Sequence, residues 1–393
     1  MSTKPTQGDA TRIIHNRRHA DAEGSPYAPL YSTTTYRFEK TADLLNVISG
    51  KDDGNLYTRW GSNPTIQELE QGLAQLEQAE AALAFGSGMA AISAALLALG
   101  RNGIVCVGDL YGGTQELLKQ CQLLGIPVTV LLKEQQTELA QALHTPGMLV
   151  YCETPANPTL SILDISELAG VAHAHGALLA VDNTFASPIN QQPLTLGADV
   201  VLHSASKYLG GHSDITAGAL MASLELVRKV APWRKNFGQI IAPEVAALLA
   251  RSLRTLPLRI RQHNDNALAV AKAMQNHPHI RRVLYPGLPD FPGHALAKQQ
   301  MQGFGGMLSI EVDGGFDEAA AVADNLQLFL LATSLGGVES LVSQPCATSH
   351  FALSAAERQQ RGISDGLLRL SVGLENAGDL IHDLQQALAR VFG

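Results

Sequence analysis

From Pro64 onward the apolar positions of the chain alternate between two rhythms. Ile66, Leu69, Leu73 and Leu76 recur at three- and four-residue spacing behind Asn63, a residue suited to cap a helix. The alanine-rich segment ending at Phe85 continues that helical pattern, Gly86-Ser87-Gly88 reads as a turn, and Met89 to Leu99 is apolar on nearly every side, as a buried helix is. Short apolar runs then alternate with amphipathic ones. Strands are expected at Ile104 to Val107, Val128 to Leu132, Met148 to Cys152, Ala177 to Val181 and Val200 to His203, and helices at Gly113 to Leu124, Gln135 to His144 and Ile165 to His175. Continuously apolar strands separated by helices call for a mostly parallel sheet covered on both faces, and ligands on such sheets sit at the carboxyl ends of the strands.

After Gly218 the pattern changes. Helical runs near Pro243 to Leu253 and Leu258 to Met274 lead to a smaller α/β unit, with strands at Val283 to Tyr285, Gly306 to Val312 and Leu367 to Val372 and helices at Glu318 to Leu328 and Ala377 to Val391. Before Pro64 neither rhythm persists, and the aromatic stretch Ser25 to Phe38 suits an arm that packs on another subunit. The expected division is therefore an arm over 1–62, a large domain over 63–250 and a small C-terminal domain over 251–393.

Composition narrows the class. The chain has 393 residues, 46% hydrophobic and 16% charged, which describes a large folded protein. A net charge of −8 gives no support to nucleic-acid binding. The N-terminus has no apolar signal core, no run has the character of a membrane span, and Cys106, Cys121, Cys152 and Cys346 lack metal-ligand spacing. A cytoplasmic protein without a metal site is expected. The histidines, His203 and His212 beside Lys207 included, read as structural.

The chemistry concentrates in Leu202 to Gly218. Lys207, framed by Ser204 and Ser206, follows an apolar strand and precedes two glycines; in a partly dry pocket its pKa falls and the neutral amine becomes a nucleophile. The bland alternative is a snorkelling surface lysine. Glu153 and Asp182 also stand at strand ends, so three segments bring polar groups to one crevice. The N–H groups of Ser87, Gly88 and Met89 open a helix and can cradle a phosphate. Together these fit pyridoxal phosphate: Lys207 for its aldehyde, the cup with Ser204 and Ser206 for its phosphate, and Asp182 to keep the ring nitrogen protonated. Asp182 is equally readable as a turn aspartate and Tyr111, a candidate to stack on the ring, as an ordinary half-buried tyrosine. A dehydrogenase is the competing reading, because Gly86 to Ala91 satisfies G-x-G-x-x-A and Asp109 follows about twenty residues later.

The segments YTRWGSNPT (Tyr57 to Thr65), FGSGMAA, DLYGGT (Asp109 to Thr114), ETPANPT (Glu153 to Thr159), VDNTFASP (Val181 to Pro188), HSASKYLGGHSD, SLGGVESL (Ser334 to Leu341) and LLRLSVGLE (Leu367 to Glu375) resemble, in order, the Cys/Met-metabolism family of pyridoxal-phosphate enzymes. The resemblance implies the fold-type I, aspartate-aminotransferase-like α/β architecture and a homotetramer, a dimer of dimers with sites shared across the dimer interface. It also implies roles. Lys207 matches the Schiff-base lysine, Asp182 the ring-nitrogen partner and Tyr111 the stacking tyrosine that assists proton transfer. Gly88, Met89, Ser204 and Ser206 match cofactor contacts, and Tyr57 and Arg59 match residues reaching a neighbouring subunit's phosphate. Arg369 matches the arginine for the substrate carboxylate, helped by Asn157 and Ser334, while Glu339 is expected to orient Lys207 or the distal end of the substrate.

Within the family, Val338-Glu339 resembles the γ-lyase and γ-synthase form of its motif. Gly113 stands where methionine γ-lyases typically carry cysteine, and Leu56 where cystathionine-handling members commonly carry an acid. The expected activity is γ-elimination from a γ-substituted L-amino acid, cystathionine first, giving 2-oxobutanoate and ammonia. The alternatives are γ-replacement, as in cystathionine γ-synthase or a homoserine-ester sulfhydrylase, methionine γ-lyase, and cystathionine β-lyase.

Overall fold

A computed structural model of the chain describes residues 7–16 and 23–393. Residues 1–6 and 17–22 of the expected arm lie outside the described ones. The arm is not without helices: α1 (Asp9–Ile14) and α2 (Thr41–Ile48) stand where no period was read, because six and eight residues are too short to show one. Part of the arm packs on its own chain. Ile13 is buried, and the Tyr31 N–H donates to the Thr65 hydroxyl at 2.9 Å.

Asn63 caps α3 (Pro64–Glu77), its side chain accepting from the N–H groups of Thr65 and Ile66. The alanine-rich segment behind it does not continue the helix. It is the strand β1 (Ala81–Phe85), because five apolar residues pair with an equally apolar neighbour, and this pairing outweighs the helix propensity of alanine. Then follow α4 (Gly88–Leu99), β2 (Ile104–Val107), α5 (Gly112–Leu123), β3 (Val128–Leu131), β4 (Leu149–Glu153), β5 (Leu178–Asp182), β6 (Val200–His203) and β7 (Gly218–Ala222). The helix expected over Gln135 to His144 is a 3-10 segment, Lys133–Glu138, and a single turn, Leu139–Ala142.

The seven strands form one sheet in the order β1-β7-β6-β5-β4-β2-β3, in which β7 alone runs against the others. The carboxyl ends of β1, β2, β4, β5 and β6 consequently share one edge, and β7 starts from it. On one face of the sheet α4 packs over Leu83, Ile104, Tyr151 and Leu202; on the other, Val105, Val150 and Val181 meet the helix Ile165–Ala174.

A second sheet has the order β10-β11-β12-β9-β8. Its strands are β8 (Ile280–Leu284), β9 (Met307–Val312), β10 (Leu330–Leu331), β11 (Leu341–Ser343) and β12 (Leu367–Ser371), antiparallel except for β10 with β11. The helices Phe316–Asn325 and Ala377–Phe392 accompany it. The structure is thus α/β with a mostly parallel large sheet and a second, smaller one. A single apolar cluster joins them, running from Ile66 and Leu69 through Tyr208, Leu256, Ile260 and Met274 to Met307, Leu308 and Leu370. Among the described residues no helix is long and apolar enough to cross a membrane.

Candidate active site

The shared edge of the large sheet opens into a cavity of about 650 Å³. Ser87, Gly88, Met89, Tyr111, Asp182, Ser204 and Ser206 line it on the strand-end side, and Asn157, Lys207, Ser334 and Arg369 on the other. Segments more than 250 residues apart in the chain therefore meet, and eleven of the fourteen sequence-selected residues are among them.

At the strand-end wall the main chain and short side chains fix each group. Asp182 closes β5, is buried, and accepts the Thr184 N–H at 2.9 Å. Burial pushes its carboxyl up, and the hydrogen bonds from Thr184 oppose that. Beside it Glu153 closes β4; burial and then the charge of Asp182 raise it to about 8. At the start of α4, Ser87 Oγ accepts the Ala90 N–H and Ser87 O the Ala91 N–H, which leaves those of Gly88 and Met89 as orphan donors at the cavity end. Gly88 is required there: a Cβ would stand 2.8 Å from Ser204 Cβ. Thr184 ties the cup together by accepting the Ser204 N–H at 2.8 Å. The Ser206 hydroxyl lines the cavity while exchanging hydrogen bonds with the Ala217 main chain, accepting from N–H at 3.0 Å and donating to O at 3.3 Å.

The opposite wall is built from cations and one serine. Lys207 Nζ donates to Ser334 Oγ at 2.7 Å; burial, with Arg369 adding, lowers the ammonium to about 8. Arg369, in β12, donates from Nη1 to Asn157 Oδ1 at 3.1 Å and from Nη2 to Ser334 O at 2.8 Å. Its Nε is buried without a partner among the described residues, and burial lowers the guanidinium to about 10. A buried arginine facing a cavity with a donor unmet is a site for an anion. Ser334 serves both cations from a left-handed backbone, φ 83°, a conformation that costs a serine about 1–3 kcal/mol and persists where the surroundings enforce it. Tyr111 stands at the mouth, 48% exposed, its ring over Gly113, where a Cβ would come within 2.6 Å of Cε1.

Three selected residues lie elsewhere. Glu339 accepts a hydrogen bond from the Ser213 hydroxyl and does not line the cavity. Tyr57 and Arg59 face a separate groove with Leu44, Ile48 and Leu56, and Arg59 donates to Lys235 O at 3.0 Å. His203 turns to the far side of the sheet, where it meets Glu77 at 2.6 Å in a fully buried pair. Asp109 is ion-paired with Arg361 at 2.7 Å. Gly86 does follow a strand, β1, so the turn itself does not argue against a dehydrogenase. The occupied carboxylate of Asp109 removes the ribose ligand instead.

The model of the Cys/Met metabolism PLP-dependent enzyme family matches residues 10–389. The chain belongs to that family. It is 41% identical over 388 residues to the L-methionine gamma-lyase of Pseudomonas deceptionensis, covering 97% of each chain. Identity to the cystathionine gamma-lyase of Bacillus subtilis (strain 168) is also 41%, over 97% of this chain and 99% of the other. A crystal structure of cystathionine gamma-synthase from Xanthomonas oryzae pv. oryzae, in complex with aminoacrylate and cysteine, superposes with a TM-score of 0.92 at 40% identity, covering 98% of this chain and 99% of that one.

The family's pyridoxal phosphate fits the residues present. The orphan amides of Gly88 and Met89 beside Ser204 suit a phosphate, Lys207 presents an amine of lowered pKa, and Asp182 offers a buried carboxylate. Sequence reasoning passed over Thr184, Thr216, Thr348 and Ser349, which also line the cavity or hold its groups. Thr184 alone carried a signal, as the residue after Asp182-Asn183 in a turn; nothing in periodicity marks the others.

Proposed function

We propose that this member of the family is a γ-lyase, eliminating the γ substituent from an L-amino acid with cystathionine as the first candidate, and releasing 2-oxobutanoate and ammonia. The observation that carries the reading is the meeting of Lys207, Ser334 and Arg369 on one wall, a base and a carboxylate fork spaced by a single residue. The γ-lyases among the similar proteins support the reaction type.

Bound pyridoxal phosphate would supply an aldehyde for the substrate amine and a ring that accepts the electron pair left on the amino acid. The residues do the rest. Arg369 takes the α-carboxylate, its unmet Nε adding a donor to those already engaged with Asn157 and Ser334, and so orients the Cα–H bond. Lys207, held by Ser334 and shifted by burial toward the neutral amine, removes the Cα proton, hands it on, and, neutral again, takes the Cβ proton whose loss allows the Cγ–S bond to break. Asp182 keeps the proton at the ring nitrogen. Tyr111 assists proton transfer at the amino and leaving groups from the mouth of the cavity.

The protein acts as a cytoplasmic homotetramer, a dimer of dimers in which Tyr57 and Arg59 complete the partner's phosphate site. That they line a groove apart from the cavity, with Leu45 and Ile48 exposed nearby, supports a subunit contact there. Mixing inactive Arg59→Ala and Lys207→Ala chains should then restore part of the activity.

The deciding experiment incubates purified protein with cystathionine, methionine and O-acetylhomoserine, with and without cysteine, and identifies products by mass spectrometry. 2-Oxobutanoate without added thiol is the expected product. Pyruvate as the only keto acid from cystathionine would make the enzyme a β-lyase, and turnover only with added thiol would make it a γ-replacement enzyme.

A further inference from the structure

Of the ionisable side chains that line the cavity, Glu153 alone has no task in the reading above. It accepts from three donors. One oxygen accepts the Tyr111 N–H at 2.9 Å; the other accepts the hydroxyls of Tyr151 at 3.1 Å and Thr114 at 3.3 Å. Tyr151 and Thr114 are fully buried and Glu153 nearly so, whereas the tyrosine whose main chain it holds is half exposed. The ring of Tyr111 is thus set by two neighbours: Gly113 leaves it room and Glu153 fixes its backbone at the entry to α5.

The same three donors explain why a second carboxyl can stand beside Asp182. Burial and that neighbour raise the Glu153 carboxyl, which favours its acid form. In the acid form the proton on the oxygen facing Thr114 reverses that bond, the Thr114 hydroxyl turning to accept it, while the other oxygen keeps the Tyr111 N–H. A glutamine amide reproduces this pattern, with NH₂ toward the hydroxyls and C=O toward Tyr111. A leucine fills the volume and leaves a buried N–H and a buried hydroxyl without a partner.

We propose that Glu153 is a positioning residue for the reaction: by holding the Tyr111 main chain from the end of β4 it sets where the Tyr111 hydroxyl stands over the cavity, and it does so as a hydrogen-bonding group that glutamine can replace. The proposal rests on the catalytic task given to Tyr111 above.

The test uses full-length, cofactor-loaded protein as wild type, Glu153→Gln, Glu153→Leu, Tyr111→Phe and the Glu153→Leu/Tyr111→Phe double variant. Steady-state kinetics on cystathionine and amide hydrogen exchange of the segment 109–114 are measured on each. E153Q should stay within about threefold of wild type in kcat and keep the segment protected. E153L should lose about 30-fold in kcat with KM little changed, the scale expected when a reacting group is misplaced by about an ångström, and its segment should exchange at least about tenfold faster. In the Y111F background the leucine should cost less than about threefold, because the hydroxyl it displaces is already gone. A full 30-fold loss persisting in that background, or wild-type exchange in E153L, would overturn the proposal. If E153L does not fold, Tyr151→Phe removes the nearer anchor of Glu153 and should give the same ordering at about fivefold; equal losses with and without the Tyr111 hydroxyl again overturn it. Failure of the γ-lyase reading appears separately, as a wild type with no keto acid product, and the exchange data still decide the clamp.

Discussion

The wall of the cavity at the strand ends and the wall facing it reach order by different routes. Asp182, Glu153 and the start of α4 are each held by main-chain groups of the large sheet or of the turns leaving it. Arg369 and Lys207 instead depend on one another's partner, since the carbonyl of Ser334 holds the first and its hydroxyl the second. A sheet forms whatever ligand is present, so the first wall is independent of its occupant. The second is a linked set in which moving one member moves the next. Damage on the strand-end wall should therefore stay local, and damage on the facing wall should spread.

The sharpest test removes Lys207. Lys207→Ala should lower kcat by about 10⁴-fold, the upper range for losing a general base, and abolish the absorbance of lysine-bound cofactor, while circular dichroism shows an unchanged fold. Arg369→Lys comes next. It keeps a charge and loses the fork, so kcat/KM should fall about 100-fold, chiefly through KM, with cofactor affinity near wild type. Loss of cofactor affinity there would break the division between the walls.

A third test follows from the lowered Lys207. Burial disfavours its charged form, so in the cofactor-free protein the neutral, nucleophilic fraction falls about tenfold per unit below pH 8 and levels off above it. Covalent capture of pyridoxal phosphate, followed by absorbance, should show that profile, and Arg369→Ala should move its midpoint upward because a repelling charge has gone. The smallest effect is expected from Gly113→Ala, whose Cβ must displace the Tyr111 ring. Here kcat/KM should fall about fivefold, with little change in the unfolding midpoint because the ring is half exposed.

The strand-end wall was also the more legible one in the sequence. Its strands are unbroken apolar runs, and the acids that close two of them, Glu153 and Asp182, could be placed at one edge from periodicity alone, together with Lys207, which leaves the same edge for the facing wall. Arg369 and Ser334 could not. Arg369 sits inside a strand whose apolar run gives no hint that one residue faces a cavity, and Ser334 lies in a loop between two strands of two and three residues, too short for any period. Resemblance to the family supplied both. β1 and β7 were lost for another reason: Ala81–Phe85 and Gly218–Ala222 are short and rich in small residues, and it is pairing, of β1 with β7 and of β7 with β6, that makes them strands. The expected helix at Gln135 to His144 failed because its few apolar positions do not hold a period beyond one turn.

The apolar cluster shared by the two sheets has a mechanical consequence. Tyr208 follows Lys207 directly and packs in the same cluster as Met307 and Leu370 of the second sheet, so the cavity resembles a vice whose jaws are cast in one piece. Swinging the jaws apart about a hinge would tear close-packed contacts along the back of the molecule. Traffic into and out of this enzyme should accordingly be governed at the rim, by the swing of Tyr111 and of the short 347–349 segment opposite it, with the frame behind them standing still.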